Sequence, residues 1–233
     1  MHPFFKITLR TTDVEAARAF YKAVLGDHDY EIVQLHEQAV ARGATPHWLG
    51  FIEVDDVARA SAAFIERGAT PLAPIWKNPA GLEAAVMRDP GGAVVALGKP
   101  PESMRPKSPG VPGVDWILLH TANVDAAVRN YSELFGWHFD PPRDLGEHGT
   151  FHMFAFDKGA PPSGSLTDIA GRPQIHPHWR FHFHVESLAR ALEAARAHNA
   201  IVLGPFTLPS GDTIAVLDDP QGASFSVYER HPE

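Results

Sequence analysis

The 233-residue chain contains no cysteine. Disulfides, thiolate metal sites and a cysteine nucleophile are therefore excluded, while the redox compartment stays open. Long apolar runs are missing as well: no stretch approaches the roughly 18 apolar residues that a membrane-spanning helix needs. The start of the chain, Met1-His2-Pro3-Phe4-Phe5-Lys6, lacks the basic-then-apolar order of a secretory signal, so the expected location is cytoplasmic. Positive charge is in deficit, with 20 Lys and Arg against 28 Asp and Glu and a net charge of −8. Neither nucleic acid nor an anionic membrane surface is an expected partner for such a chain. Also absent are a phosphate-cradling Gly-rich loop, a Gly-x-Ser-x-Gly elbow, a Walker sequence and a His-Glu-x-x-His helix.

What the chain does have is a motif set that occurs twice. Phe20-Tyr21 with Leu25-Gly26 recurs as Asn130-Tyr131 with Phe135-Gly136. His47-Trp48 recurs as His178-Trp179, and Asp89-Pro90-Gly91-Gly92 recurs as Asp219-Pro220-Gln221-Gly222. Each copy reads as an early helix ending at Gly, a central His-Trp strand and a late Asp-Pro turn. Repetition of this kind decides the architecture before any local reading does.

Between the copies lies Lys99 to Gly113, with Pro100, Pro101, Pro106, Pro109 and Pro112. Proline at that density favours extended chain, so residues 99–113 read as a semi-rigid linker between domains 1–98 and 114–233. Phe4 to Arg10 alternates as a half-buried strand. Thr12-x-x-Glu15 reads as a capping box opening a helix that Gly26 closes. Trp48–Val54 is a strand, followed by a helix capped by Asp56 and stopped by Gly68; Trp179–Val185 and Leu188–His198 repeat this. Glu83–Met87 with Ala93–Leu97, and Thr213–Leu217 with Ser224–Tyr228, read as closing hairpins. The offset between copies grows from 110 at Tyr21/Tyr131 to 131 at His47/His178, so about 21 extra residues enter copy two. They contain an expected hairpin of Phe151–Phe156 and Ser165–Ile169 around Pro161-Pro162-Ser163-Gly164, and the first unit of copy one is abbreviated.

This pattern resembles the vicinal-oxygen-chelate superfamily of glyoxalases, bleomycin resistance proteins and extradiol dioxygenases. The resemblance rests on Asp13-Val14-Glu15-Ala16-Ala17 through Leu25-Gly26, Val54-Asp55-Asp56-Val57, Asp89-Pro90-Gly91-Gly92 and their second-copy counterparts. Pro46-His47-Trp48 and Pro177-His178-Trp179 are similar to a two-domain bacterial group within it. The implied fold is α+β: tandem glyoxalase-like domains, each a pair of βαβββ units forming a curled, mostly antiparallel sheet with helices outside. The implied function is the binding of a small organic molecule in a cavity, chiefly of the second domain. The resemblance also implies a divalent metal on three strands, but its ligand positions carry Lys6, Leu49 and Ala96 in copy one and Trp116, Arg180 and Ser226 in copy two. None of these replaces a His or carboxylate, so no cofactor is expected from that triad. The alternative is a lyase, isomerase or dioxygenase with a metal relocated to other histidines.

Ten of the 14 histidines follow the linker. On a strand, His178, Arg180, His182, His184 and Glu186 share one face. Arg180, His182 and His184 are the expected catalytic residues; Trp116, His120, His152, Phe154, Ser226 and Tyr228 are the expected ligand-binding ones. Three readings stand side by side. His182 and His184 with His120 or His152 hold a metal; Arg180 holds a carboxylate or enolate beside a histidine donor or base; or the face is merely hydrogen-bonded polar surface. In copy one, Lys6 or Arg10 paired with Glu53 would form a charged floor or a structural ion pair. Trp76, Phe151, Met153, Phe154 and Phe206 are pocket walls or core. A turnover enzyme and a sequestering binding protein both remain open, as monomer or homodimer.

Overall fold

The computed structural model describes residues 2–28, 30–105, 110–146, 149–170, 172–173, 175–208 and 210–231. The first half runs β1 (Phe4–Thr11), α1 (Val14–Leu25), β2 (Glu31–Gln34), α2 (Glu37–Ala41), β3 (His47–Glu53), α3 (Val57–Glu66), β4 (Thr70–Pro71), β5 (Trp76–Lys77), β6 (Glu83–Arg88) and β7 (Val94–Lys99). The second half runs β8 (Val114–His120), α4 (Val124–Phe135), β9 (His138–Phe139), β10 (Arg143–Asp144), β11 (Thr150–Ala155), β12 (Gly164–Thr167), β13 (His178–His184), α5 (Leu188–Ala197), β14 (Ile201–Thr207), β15 (Thr213–Asp218) and β16 (Ser224–Glu229). The fold is α+β. Among the described residues no helix is long and apolar enough to cross a membrane.

Each half supplies the strands of one mixed sheet. The seven-stranded sheet has the order β2-β1-β3-β7-β6-β4, with β5 also on β6. The nine-stranded sheet runs β10-β11-β12-β8-β13-β16-β15-β14, with β9 also on β11. The crossover pairs β1/β2, β3/β7, β8/β12 and β13/β16 are parallel, which crossover connections allow and tight hairpins do not. The late hairpins β6/β7 and β15/β16 are antiparallel. The expected extra hairpin of copy two is β11/β12, in register Phe151↔Thr167 through Phe154↔Gly164.

Two local expectations change. The cap of α1 is Asp13, whose carboxylate accepts from the Ala16 N–H at 3.0 Å, not Thr12 one residue earlier. Asp13 has the extended backbone (φ −138°, ψ 99°) that lets a side chain fold back onto the first turn. The linker is not uniformly extended either: Glu102–Met104 forms one 3₁₀ turn beginning after Pro101. Pro106 and Pro109 lie outside the described residues.

Proximity in space groups the chain differently from the sheets. A first unit gathers Met1–Lys6, Gly50–Pro112 and Trp116–Trp179; a second gathers Ile7–Leu49, Gly113–Asp115 and Arg180–Glu233. Each unit thus draws on both halves of the sequence. In the second unit α1 packs on α5, and in the first α3 packs on α4.

The second unit has an aromatic core in which Tyr21 meets Trp48 edge-on (5.1 Å, 86°), and Phe20, Phe183 and Phe225 close around them. The first unit repeats the motif: Tyr131 meets Trp179 edge-on (5.4 Å, 88°). There Trp137 stacks on both Tyr131 and Phe154, and its indole N–H donates to the His2 carbonyl. Full burial of each Phe or Leu in such cores contributes roughly 1.5–3 kcal/mol. Buried tyrosine hydroxyls must find partners, and both do so across the halves: Tyr21 donates to Asp219 at 3.0 Å and Tyr131 to Asp89 at 2.9 Å.

Candidate functional site

In the second unit, the parallel pair β13/β16 sets His182 opposite Ser226 and His184 opposite Tyr228. Directly paired residues share a face of the sheet. The pair is pinned at one end by the Val185 N–H donating to the Tyr228 carbonyl, and α5 begins two residues later at its Ser187 cap. His182 is 8% exposed and Ser226 0%. His182 Nε2 and Ser226 Oγ have no hydrogen-bond partner among the described residues. Native interiors rarely leave such atoms unmatched without water or a ligand.

Charge around this pair is set by burial. Burial first, and the Arg180 charge second, push the His182 imidazole down to about 3, so it is neutral at pH 7. Burial lowers the Arg180 guanidinium to about 10 against the opposing pull of Asp218, which leaves it a cation. The position of Asp218 opposite Ser224 on β15/β16 explains that pull. An imidazole held so low is a poor general base at pH 7 and serves instead as a neutral hydrogen-bonding group. His184, half-buried, has its ring 5.5 Å from that of Tyr228. The Tyr228 hydroxyl donates to Asp115, which also receives Arg230. Burial, then the Asp115 hydrogen bond, raises the Tyr228 phenol above its ordinary value. The structure thus gathers Arg180, His182, His184, Ser226 and Tyr228.

The other expected residues belong to the first unit. There β8 pairs with β12 in parallel, Ser165 opposite Leu118 and Thr167 opposite His120. The Trp116 indole N–H donates to Ser165 Oγ at 3.2 Å. His120 is 2% exposed, its ring 4.8 Å from that of His178, which lies 4.7 Å from that of His176. His178 Nδ1 lies 2.7 Å from the His176 carbonyl. The β11/β12 register puts Phe151 opposite Thr167 and Met153 opposite Ser165. Phe151 and Met153 therefore share the face of His120, and strand alternation sends His152 and Phe154 to the opposite one. Phe154 is 1% exposed and stacks on Trp137 at 4.6 Å, so it is core rather than ligand wall. Phe206 is 47% exposed.

Copy one gives the expected charges further partners. In the second unit Arg10 feels Glu31, which also accepts from the Thr8 hydroxyl at 3.1 Å; burial lowers the Arg10 guanidinium. In the first unit Glu53 pairs with Arg105 at 3.6 Å, and the Lys6 ammonium lies 5.8 Å from the Phe51 ring centre. Asp218, Asp115 and Ser165 were not among the expected site residues. The doubled Asp218-Asp219 before the turn was the one available signal for the first of them.

The side chains at the implied metal positions do not fit a divalent cation. Leu49 and Ala96 are aliphatic and 1% and 0% exposed; Trp116 and Arg180 offer N–H donors rather than lone pairs, and Ser226 only a neutral hydroxyl. Among the described residues no three His, Asp or Glu side chains converge as a metal site.

Comparison with known proteins agrees with this architecture. A glyoxalase-like domain family model matches residues 116–228. The CFP32 protein of Mycobacterium bovis, provisionally named a glyoxylase, is 26% identical over 97% of this chain and 94% of that protein. The anthracycline biosynthesis protein DnrV of Streptomyces peucetius is 30% identical over 62% of this chain and 52% of its own length. Among solved structures, the Mn(II)-bound glyoxalase of Novosphingobium aromaticivorans superposes with a TM-score of 0.62 at 13% identity, covering 100% of this chain and 84% of that one. The 2,3-dioxygenase LapB of Pseudomonas sp. KL28 superposes with a TM-score of 0.61 at 16% identity, covering 100% and 95%. The last two likenesses concern the fold. Residues 116–228 match a glyoxalase-like domain, and the whole chain shares its fold with these glyoxalase and dioxygenase structures.

Proposed function

We propose that the second half of this chain binds a small organic anion without the superfamily's metal triad, and that Arg180, His182 and Ser226 form the binding face. One observation carries the reading: two buried polar atoms, His182 Nε2 and Ser226 Oγ, lie on directly paired residues with no partner among the described residues, beside a desolvated cation. A guanidinium in a poorly solvated setting binds carboxylate or enolate oxygen strongly. The neutral imidazole and the hydroxyl each offer one donor or acceptor to a neighbouring carbonyl or hydroxyl. The ligand class is therefore a small carboxylate with an oxo or hydroxy group on the adjacent carbon. His184, beside Tyr228, is the group positioned for proton transfer should the ligand turn over. Trp116, His120 and His152 are not part of the proposed binding face.

Isothermal titration of the whole protein with pyruvate and lactate tests it. Saturable binding that is lost in Arg180→Met and weakened about fivefold or more in Ser226→Ala supports the reading. Heat signals that are absent, or unchanged in both variants, overturn it. Proton spectra of the recovered ligand separate binding from turnover. Elemental mass spectrometry of untagged protein decides the alternative: near-stoichiometric metal that disappears in His182→Ala/His184→Ala would establish a relocated metal site.

A further inference from the structure

The repeat supplies an internal control for a second site, on the helix side of the first half. Residues of α3 and α5 correspond one to one, and where α5 has Leu192, Glu193 and Arg196, α3 has Ser61, Ala62 and Ile65. Leu192 is a buried core residue at 3% exposure. Its counterpart Ser61 is buried too, at 7%, but its hydroxyl has no hydrogen-bond partner among the described residues. Ser61 is among the residues lining a groove of about 290 Å³ within the first unit, between α3 and the segment from Pro71 to Ile75, with Met87 also in the lining. Ser61 is the only polar side chain in the lining. Ile65 and Ile75, on the rim, are 45% and 42% exposed. The charged pair that makes the equivalent surface of α5 hydrophilic is thus replaced by alanine and isoleucine.

We propose that this groove is a binding site for a fragment-sized, largely apolar molecule carrying a single hydroxyl or carbonyl oxygen, a phenol being the simplest case. Its volume lies at the lower end for ligand pockets and suits a single ring. Apolar walls supply the contact area, and Ser61 Oγ supplies one orienting hydrogen bond. A wholly apolar occupant would leave the hydroxyl unmet, at a cost in affinity.

Methyl-resolved NMR titration of the full chain with phenol, and separately with benzene, tests the site. Phenol is expected to shift the Ile65, Ile75 and Met87 methyls saturably. Ser61→Ala should weaken phenol about fivefold and leave benzene unchanged. Ser61→Leu, the residue of the other copy, should abolish both. Should that variant lose its cooperative melt, Ala62→Glu on the exposed rim, also taken from the other copy, must block binding in its place. The proposal is overturned by methyl shifts that do not saturate, by shifts that persist when the groove is filled or blocked, or by equal weakening of phenol and benzene in Ser61→Ala.

Discussion

Tyr21, on the first helix of one sequence repeat, donates its hydroxyl to Asp219, in the late turn of the other, at 3.0 Å. Tyr131 and Asp89 make the reciprocal bond at 2.9 Å. The Tyr21 hydroxyl is also tied to a repeated tryptophan: the Trp48 N–H donates to it at 3.1 Å. Each Asp also accepts from the backbone of its own turn, at Ala223 and Gln221 in one copy and Ala93 in the other. A repeat that looks like two independent domains in sequence is therefore cross-braced through buried polar groups.

The first prediction concerns that bracing. Tyr21→Phe removes one donor from Asp219 and the acceptor of Trp48 while keeping the ring. Leaving such buried groups unmet costs about 1–3 kcal/mol each, so urea unfolding should show a loss in that range, and Tyr131→Phe a similar one. A loss below about 0.5 kcal/mol in both would mean the hydroxyls are not structural.

His182 predicts a pH dependence of stability. Its folded value of about 3 lies below the ordinary 6.5, so between those pH values the unfolded chain binds the extra proton. Stability from this group is present above pH 6.5 and is lost as pH falls toward 3. At two pH units below 6.5 the loss should be roughly 2–3 kcal/mol. His182→Gln, which cannot titrate, should flatten that part of the profile measured by urea midpoints at pH 7 and near pH 4.5.

Arg180 lowers the same imidazole only as the second cause after burial. In Arg180→Met the His182 ring, followed by NMR titration, should titrate at a higher pH than in the parent yet still below 6.5. A full return to the ordinary value would mean that charge, not burial, dominates.

Gly91 is the tightest turn position. A Cβ there would fall 1.8 Å from Thr121 Oγ1, and the Ala122 N–H donates to the Gly91 carbonyl at 3.1 Å. Gly91→Ala should destabilise by about 1–3 kcal/mol, with partial recovery in Gly91→Ala/Thr121→Ala because the offending oxygen is gone. The other copy solves the same place differently: Gln221 accepts from the Thr11 hydroxyl at 2.8 Å.

Much of the fold is legible along the chain. Alternation in Phe4–Arg10, the Asp56 cap, the glycines at 26 and 136 and the Asp-Pro turns are local signals, and each marks an element found in the structure. The hairpin of the longer copy was legible from the change in offset between repeats. The site was legible only along single strands. Alternation places His182 and His184 on one face of β13, but the face of His152 and Phe154 depends on how β11 registers against β12, and no local residue encodes that.

The repeats, the caps and the strand periodicity belong to the sequence alone, because each depends on residues within a few positions of one another or on identity by itself. Which partner Tyr21 chooses, why Glu53 meets Arg105, and why His182 is neutral belong to tertiary structure. Those outcomes depend on burial and on contacts between residues tens to hundreds of positions apart, where desolvation rather than residue type decides charge and partner.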